Sequence, residues 1–479
     1  MSNGQIIKAI GFSFLIGLIV TLLNLIFGVP LAWVIARNKN FFVRTIDNLV
    51  DLSLVMPTAA LGFSIYLYWG TSFGLGRLFG LDGGLFGRGM IMIILLHTVF
   101  TLPYMIRSVT AALAQIGPAY EEAAETMGAS PFTFFRTIAM PLFRDGIING
   151  SILSFTRSLS ETGATMMVAG SLVTAPVLII NLKNQGNLPG AAGASIMLIL
   201  SAIIILFLAK TTLGERRASL RHIYSPLEKK ISKLAPVKNY VIFTFFIIFI
   251  FLPTVQILLY NLMHFRTPGY LLLMQSLMIS FGVAFAATFA NLIFSVPLSY
   301  LIARNRFRLG RILESLNETV LLMPTSALGL SLALFWRNFF SSEIIILILA
   351  HLCFTFPLLV KPLVSAFKEI SDSQEEAAYS LGAGIKKMSI TVLLPQIKPA
   401  IIAGIIMAFM RSLSETGATL AVSKNIKTVS ILIVDFFQSN RLEEAAFACT
   451  ILFAVALLFL VLLKNNKVAG FIKPGKADN

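Results

Sequence analysis

EEAAETMGASPFTFFRTIAMP at 121–141 and EEAAYSLGAGIKKMSITVLLP at 375–395 carry one pattern written twice: acid and alanine first, then a glycine, then a closing proline. Each copy stands between long apolar runs. The 479-residue chain is 57% hydrophobic and 13% charged, with a mean hydropathy of +0.84. A soluble domain carries about 25% charged residues, and about 20 apolar residues span a bilayer. The composition is that of an integral membrane protein. The net charge of +16 reads as a surplus of cytoplasmic Lys and Arg, and no nucleic-acid partner is expected. Cys353 and Cys449 lie apart in apolar context and offer neither a disulfide framework nor a metal site. The apolar run from residue 8 to about Ala36 is too long for a removable signal and is expected to stay as a span.

Outward from the two acidic stretches, apolar segments fall near 8–36, 47–70, 90–113, 145–170 and 190–210. A second set falls near 240–262, 272–303, 318–337, 343–366, 398–421 and 445–464. TAPVLIINL and TVSILIVDFF are too short to span and are expected to be re-entrant or interfacial pieces buried against protein. Eleven crossings put the termini on opposite sides. With the amino terminus outside, four basic groups and both acidic stretches become cytoplasmic. The groups are Arg37, Lys39 and Arg44; Arg216, Arg217, Arg221, Lys229, Lys230 and Lys233; Arg304, Arg306, Arg308 and Arg311; and Lys464, Lys467, Lys473 and Lys476.

The duplication covers nearly the whole chain. PLAWVIARN at Pro30 matches PLSYLIARN at Pro297, and MPTAALGFS at Met56 matches MPTSALGLS at Met323, both 267 positions apart. Past a Gly-rich loop that only the first half has, the spacing becomes 254. His97 then matches His351, Glu121 matches Glu375, and RSLSETGAT at 157–165 recurs unchanged at 411–419. The expected fold is all-α, with eleven transmembrane helices. Two five-span cores are related by a pseudo-twofold axis along the membrane normal, with one extra span before the second core. The expected division is a first core at 1–214, a basic linker at 215–238 and a second, six-span half at 239–479.

In the acidic stretches, Gly117 and Pro118 suit a helix start and Gly128 a left-handed stop. Ser130 caps a second short helix that Pro141 is expected to end. In the second copy Ser373 to Glu376 has capping-box spacing and Gly382 supplies the stop. Ala123, Ala124, Ala377 and Ala378 allow a close approach by another protein, and the carboxylates are free to pair with rim cations. A solvated helical loop is the plain alternative for one copy; two copies with glycine and proline kept favour a docking element.

Arg157 and Glu161 are four apart on a helix, as are Arg411 and Glu415. Two readings stay open. In one, each ion pair only pins its helix. In the other, Arg157, Glu161, Thr162, Thr165, Arg411, Glu415, Thr416 and Thr419 line an axial pathway, with Gly163 and Gly417 permitting a break or a close crossing. Thr21, Asn24, Thr288 and Asn291 are weaker pathway candidates. His97 and His351 are expected to bond neighbouring helices rather than a metal, and Pro103 and Pro357 to kink their spans.

Glu122-Ala123-Ala124, Gly128, Ile138 and Pro141 resemble the EAA loop of binding-protein-dependent ABC importer permeases, with Met140 in place of leucine. Glu376-Ala377-Ala378, Gly382, Leu394 and Pro395 repeat it, with Val392 in place of isoleucine. The resemblance implies that 117–141 and 371–395 are coupling loops, with Glu121 and Glu375 at their heads. It further implies two copies of a separate cytoplasmic ATPase and an external substrate-binding protein, in the plasma membrane. ATP and Mg would be bound by the ATPase: this chain has no GxxxxGK[ST], no cofactor site and no catalytic residues of its own. Fusion of two halves looks like ferric-iron and thiamine permeases. RSLSETGAT is similar to the R-A-L-G-E-F-G-A-T stretch of molybdate, tungstate and sulfate permeases, departing at Ser160, Ser414, Thr162 and Thr416. The rival function is an ion-gradient-driven carrier that uses Glu161 and Glu415 as cation sites.

Overall fold

The computed structural model describes residues 3–38, 40–214, 225–266, 269–304 and 308–464. Lys39, Arg216, Arg217, Arg221, Arg306, Lys467, Lys473 and Lys476, and the side chains of Arg308, Arg311 and Lys464, lie outside the described residues. Among those described, every regular element is helical.

Contacts divide the chain into two compact units, Met1–Phe265 and Arg266–Asn479. Each is built around three mutually packed helices. In the first, Asn3–Arg37 packs on Met90–Ala114 and on Arg144–Ser160, which also pack on each other. In the second, Tyr270–Ala303, Glu343–Glu369 and Leu394–Leu413 repeat the arrangement. The ten-residue helices Ala175–Asn184 and Val429–Gln438 are buried along almost their whole length, as their shortness requires of a polar backbone within an apolar medium.

The eleven expected spans do not all appear as separate long helices. Among the described residues, eight helices are long and apolar enough to cross a membrane, or ten if two bent pairs each count as one. The segments expected at 47–70 and 318–337 are these pairs, Phe41–Val55 with the helix from Thr58, and Ile312–Leu322 with Thr325–Trp336, each turning by 113°. The cause is the Met-Pro step. Proline pushes the preceding residue out of the helical region, and Met56 is extended at φ −63°, ψ 137°. The leading helix of each pair is also too polar to sit in lipid alone. Asp47 and Asp51 both bond Arg107 at 2.5 Å, and Glu314 and Glu318 meet Lys368 and Lys361 at 3.2 and 3.4 Å. The segment expected at 145–170 is broken at Glu161–Thr162 into Arg144–Ser160 and Gly163–Val168.

Two further expectations are corrected. Pro141 does not itself end its helix: the chain passes it through a wide π-turn at Phe135–Ala139 and breaks only at Phe143, while in the second copy a π-turn at Ser389–Leu393 leads straight into Leu394–Leu413 across Pro395. The extra residue in such a turn relieves the clash and the missing N–H that proline brings. The extra span, Ala235–Met263, belongs to the first unit rather than leading the second. Phe245 stacks on Phe27 at 3.7 Å, Phe249 meets Trp69 at 5.1 Å, and Gln256 Nε2 donates to the Phe73 carbonyl at 3.2 Å. The unit boundary therefore falls at Phe265–Arg266 and not in the basic linker.

Candidate functional site

Each acidic stretch is a short helix closed by glycine. Ala119–Thr126 ends where Gly128 takes φ 78°, and Asp372–Ser380 where Gly382 takes φ 79°. Ala129 N–H bonds the Ala124 carbonyl and Gly128 N–H that of Glu125, at 3.0 and 2.8 Å; Ala383 and Gly382 do the same to Ala378 and Tyr379. That pair of bonds satisfies carbonyls the helix end would orphan, and the backbone it needs favours glycine. Ser130 accepts from the Thr133 N–H and starts the next helix. The capping box expected at Ser373–Glu376 does not form, because the helix begins two residues earlier, with Ser371 at its cap.

The reason is the use made of Glu375. Its carboxylate is buried and bonded to the Arg304 guanidinium, and it accepts from the Tyr300 hydroxyl at 2.8 Å. Arg304 also donates to the carbonyls of Phe367 and Ile370, at 3.2 and 3.0 Å, and meets Asp372 at 3.3 Å. In the first copy Glu121 meets the equivalent Arg37 at 3.5 Å and is half-buried. Trp33 replaces Tyr300 and stacks under Arg37. The first glutamate of each EEAA therefore ties its hairpin to the end of its own unit's lead helix. The second glutamate faces outward, as do Ala123 and Ala377, while Ala124 and Ala378 face in. Tyr120 and Met127 in one copy, and Tyr379, Leu381 and Ile385 in the other, extend the exposed face with apolar side chains; Leu381 is 89% exposed. The sequence reading placed Arg37 and Arg304 only as charges. Their shared ARN context, at matching places ahead of both hairpins, was the signal for the pairing.

The unchanged RSLSETGAT copies form a second duplicated cluster. Glu161 meets Arg157 at 3.1 Å and Glu415 meets Arg411 at 2.5 Å. The other oxygen of each carboxylate accepts the backbone N–H three residues on, from Ala164 or Ala418, at 3.2 and 2.9 Å. Each glutamate thus closes one helix and caps the next across the break. His97 reaches Ser158 at 2.8 Å through Nδ1 and Thr165 at 2.9 Å through Nε2; His351 does so to Ser412 and Thr419 at 2.7 and 3.0 Å. Asn24 donates to Thr101, which donates to the His97 carbonyl, and Asn291, Thr355 and His351 repeat that chain. The histidines bond across helices, as expected, and no group of three metal-ligating side chains exists among the described residues. The break lies just before Gly163, but the close crossing is made elsewhere, by Gly62 against Ala164 and Gly329 against Ala418. Replacing His97 by alanine leaves Ser158 buried without its partner and Thr165 with only its bond to the Glu161 carbonyl. An unsatisfied buried group costs about 1–3 kcal/mol. The variant is expected to lower thermal stability in micelles clearly more than His97→Gln, which can keep a bond.

Two units with one internal architecture and two duplicated clusters are matched by the comparison with known proteins. The family described as binding-protein-dependent transport system inner membrane component matches residues 28–214 and again 295–466. The chain belongs to this permease family. It holds both family domains in one polypeptide, the fused form of an ABC permease, and is a transport subunit. Relatives include the sulfate transport system permease protein CysT of Salmonella typhimurium, 30% identical over 228 residues, covering 44% of this permease and 78% of the relative. The molybdenum transport system permease proteins ModB of Mycobacterium bovis and Haemophilus influenzae are 34% and 32% identical. Those matches cover 40% and 42% of this permease and 75% and 88% of the relatives.

Proposed function

We propose that the permease forms the substrate pathway of an ATP-driven importer in the plasma membrane, with its amino terminus outside and its carboxyl terminus in the cytoplasm. Two copies of a separate ATPase bind ATP and Mg and receive the hairpins 117–141 and 371–395 in their clefts. An external binding protein delivers the substrate, a small oxyanion of the sulfate or molybdate kind. The observation that carries this reading is the paired hairpins. Each is fastened to its own unit by one glutamate and offers the other glutamate, an alanine and bulky apolar side chains outward. A rigid element with an exposed face of that chemistry is suited to transmit movement to the unit that holds it. The names of the relatives support the oxyanion over ferric iron or thiamine.

Reversing the charge of both outward carboxylates, Glu122→Lys with Glu376→Lys, is expected to lower ATPase co-purification and oxyanion uptake at least tenfold. Membrane insertion should be unchanged. Normal uptake in that double variant, or uptake driven by an ion gradient with no ATPase present, would overturn the reading. Arg157, Glu161, Thr162 and Thr165, with Arg411, Glu415, Thr416 and Thr419, are proposed to shape the pathway from behind, by fixing the broken helix that faces it.

A further inference from the structure

One segment of the first unit has no counterpart in the second. The helix Ser225–Lys233 lies ahead of the extra span, with only Leu234 between it and Ala235. One face of it is bound to the first hairpin. Glu228, 3% exposed, accepts from the Thr133 hydroxyl at 2.5 Å and pairs with Arg136 at 2.5 Å. One turn on, the Ser232 hydroxyl accepts from Phe132 N–H at 3.1 Å. The second hairpin carries Lys386, Lys387 and Ile390 where the first has Phe132, Thr133 and Arg136, and all three are exposed.

The neighbouring face of this helix is amphipathic in its own right. Leu227, Ile231 and Leu234 form an exposed apolar stripe at helical spacing, 60%, 43% and 58% open, and Lys229, Lys230 and Lys233 flank it, also exposed. Because a span begins within two residues of its end, the helix is held at the membrane surface. An apolar stripe edged with lysine fits the boundary between acyl chains and anionic headgroups. We propose that Ser225–Lys233 seats on anionic phospholipid and, through Glu228 and Ser232, ties the first coupling hairpin, and not the second, to the leaflet. The lipid around the permease then acts on one of its two hairpins. Each lysine near an anionic surface favours it about fivefold, so three together give a preference that a charge-neutral variant abolishes.

The full chain is tested in nanodiscs of phosphatidylcholine alone and with about one third phosphatidylglycerol. A bimane label is placed at Leu227→Cys in a Cys353→Ala, Cys449→Ala background, and hydrogen exchange is followed in unlabelled protein. With brominated acyl chains at equal content in both discs, quenching of the label is expected to be stronger in the anionic ones, and exchange at 130–137 is expected to slow several-fold there, with 384–391 unchanged. The K229Q/K230Q/K233Q variant should lose both effects, while Glu228→Gln should keep the quenching and lose the slowing. Equal quenching in both discs, equal slowing of both hairpins, or reproduction of either effect by inorganic phosphate in neutral discs would each overturn the proposal. No ATPase is needed, so its failure is distinguishable from failure of the coupling reading.

Discussion

Glu375→Gln is expected to loosen the second hairpin far more than Glu121→Gln loosens the first, although the two residues occupy one position of the repeat. The difference is burial. Glu375 and Arg304 expose 4% and 7% of their side chains, and the guanidinium holds two carbonyls besides. Removing one charge of a buried, hydrogen-bonded pair leaves the other uncompensated and costs about 3–5 kcal/mol. Glu121 and Arg37 are 34% and 20% exposed and stand 3.5 Å apart. With its carboxylate a third exposed and no hydrogen bond formed, that longer pair contributes about 0–1 kcal/mol. Hydrogen exchange over 371–395 should therefore rise by two orders of magnitude or more in Glu375→Gln, and ATPase retention should fall with it. Glu121→Gln should change exchange over 117–141 by no more than about fivefold. Comparable responses in the two variants would mean that the Arg304 cluster does not anchor the hairpin.

The second large effect is expected at Gly329. A Cβ there would lie 2.7 Å from Ala418 Cα and 2.9 Å from its carbonyl oxygen, and one at Gly62 would lie 2.8 Å from Ala164 Cβ and 2.9 Å from its Cα. The obstruction is backbone rather than the end of a flexible side chain, so two helices must move apart to admit a methyl group. Overpacking of this kind costs about 1–3 kcal/mol, and valine should exceed that range. Gly329→Val is expected to abolish recovery of folded permease, and Gly329→Ala to lower its melting temperature in micelles by several degrees. Ala418→Gly combined with Gly329→Ala should restore part of the loss. Gly282, whose Cβ would meet nothing within 4 Å, is the control, and Gly282→Ala should melt as the wild type does. A Gly329→Ala permease as stable as that control would show that the crossing gives way more easily than its geometry implies.

What was legible in the sequence is what short-range chemistry writes. The glycine stops at 128 and 382, the Ser130 cap and the burial of the two ten-residue helices all follow from local backbone needs, and all are present. So is the repeat, because equal tasks in two units kept equal residues. The straightness of the spans was not legible. Hydropathy averages across Met56–Pro57 and Met323–Pro324 and sees one apolar run where the chain turns by 113°. Pro141 reads as a stop because its local effect is real, but a π-turn absorbs it. Partners far apart in the chain were hidden too. Arg304 and Glu375 lie 71 positions from each other, and only the repeat of ARN ahead of both hairpins links them. The allegiance of the extra span was equally silent, since an apolar helix carries no address until Phe245, Phe249 and Gln256 find neighbours.

That allegiance decides where the polypeptide's true seam lies. The sequence suggests a five-span core and a six-span half joined by a charged tether, yet the extra span packs within the first unit and the boundary falls at Phe265–Arg266. A gene fission, a circular permutation or a two-plasmid expression scheme that cuts at the tether would strand one hydrophobic passenger with the wrong fragment. Cut at the seam, the extra span would stay with Phe27, Trp69 and Phe73, on which it packs.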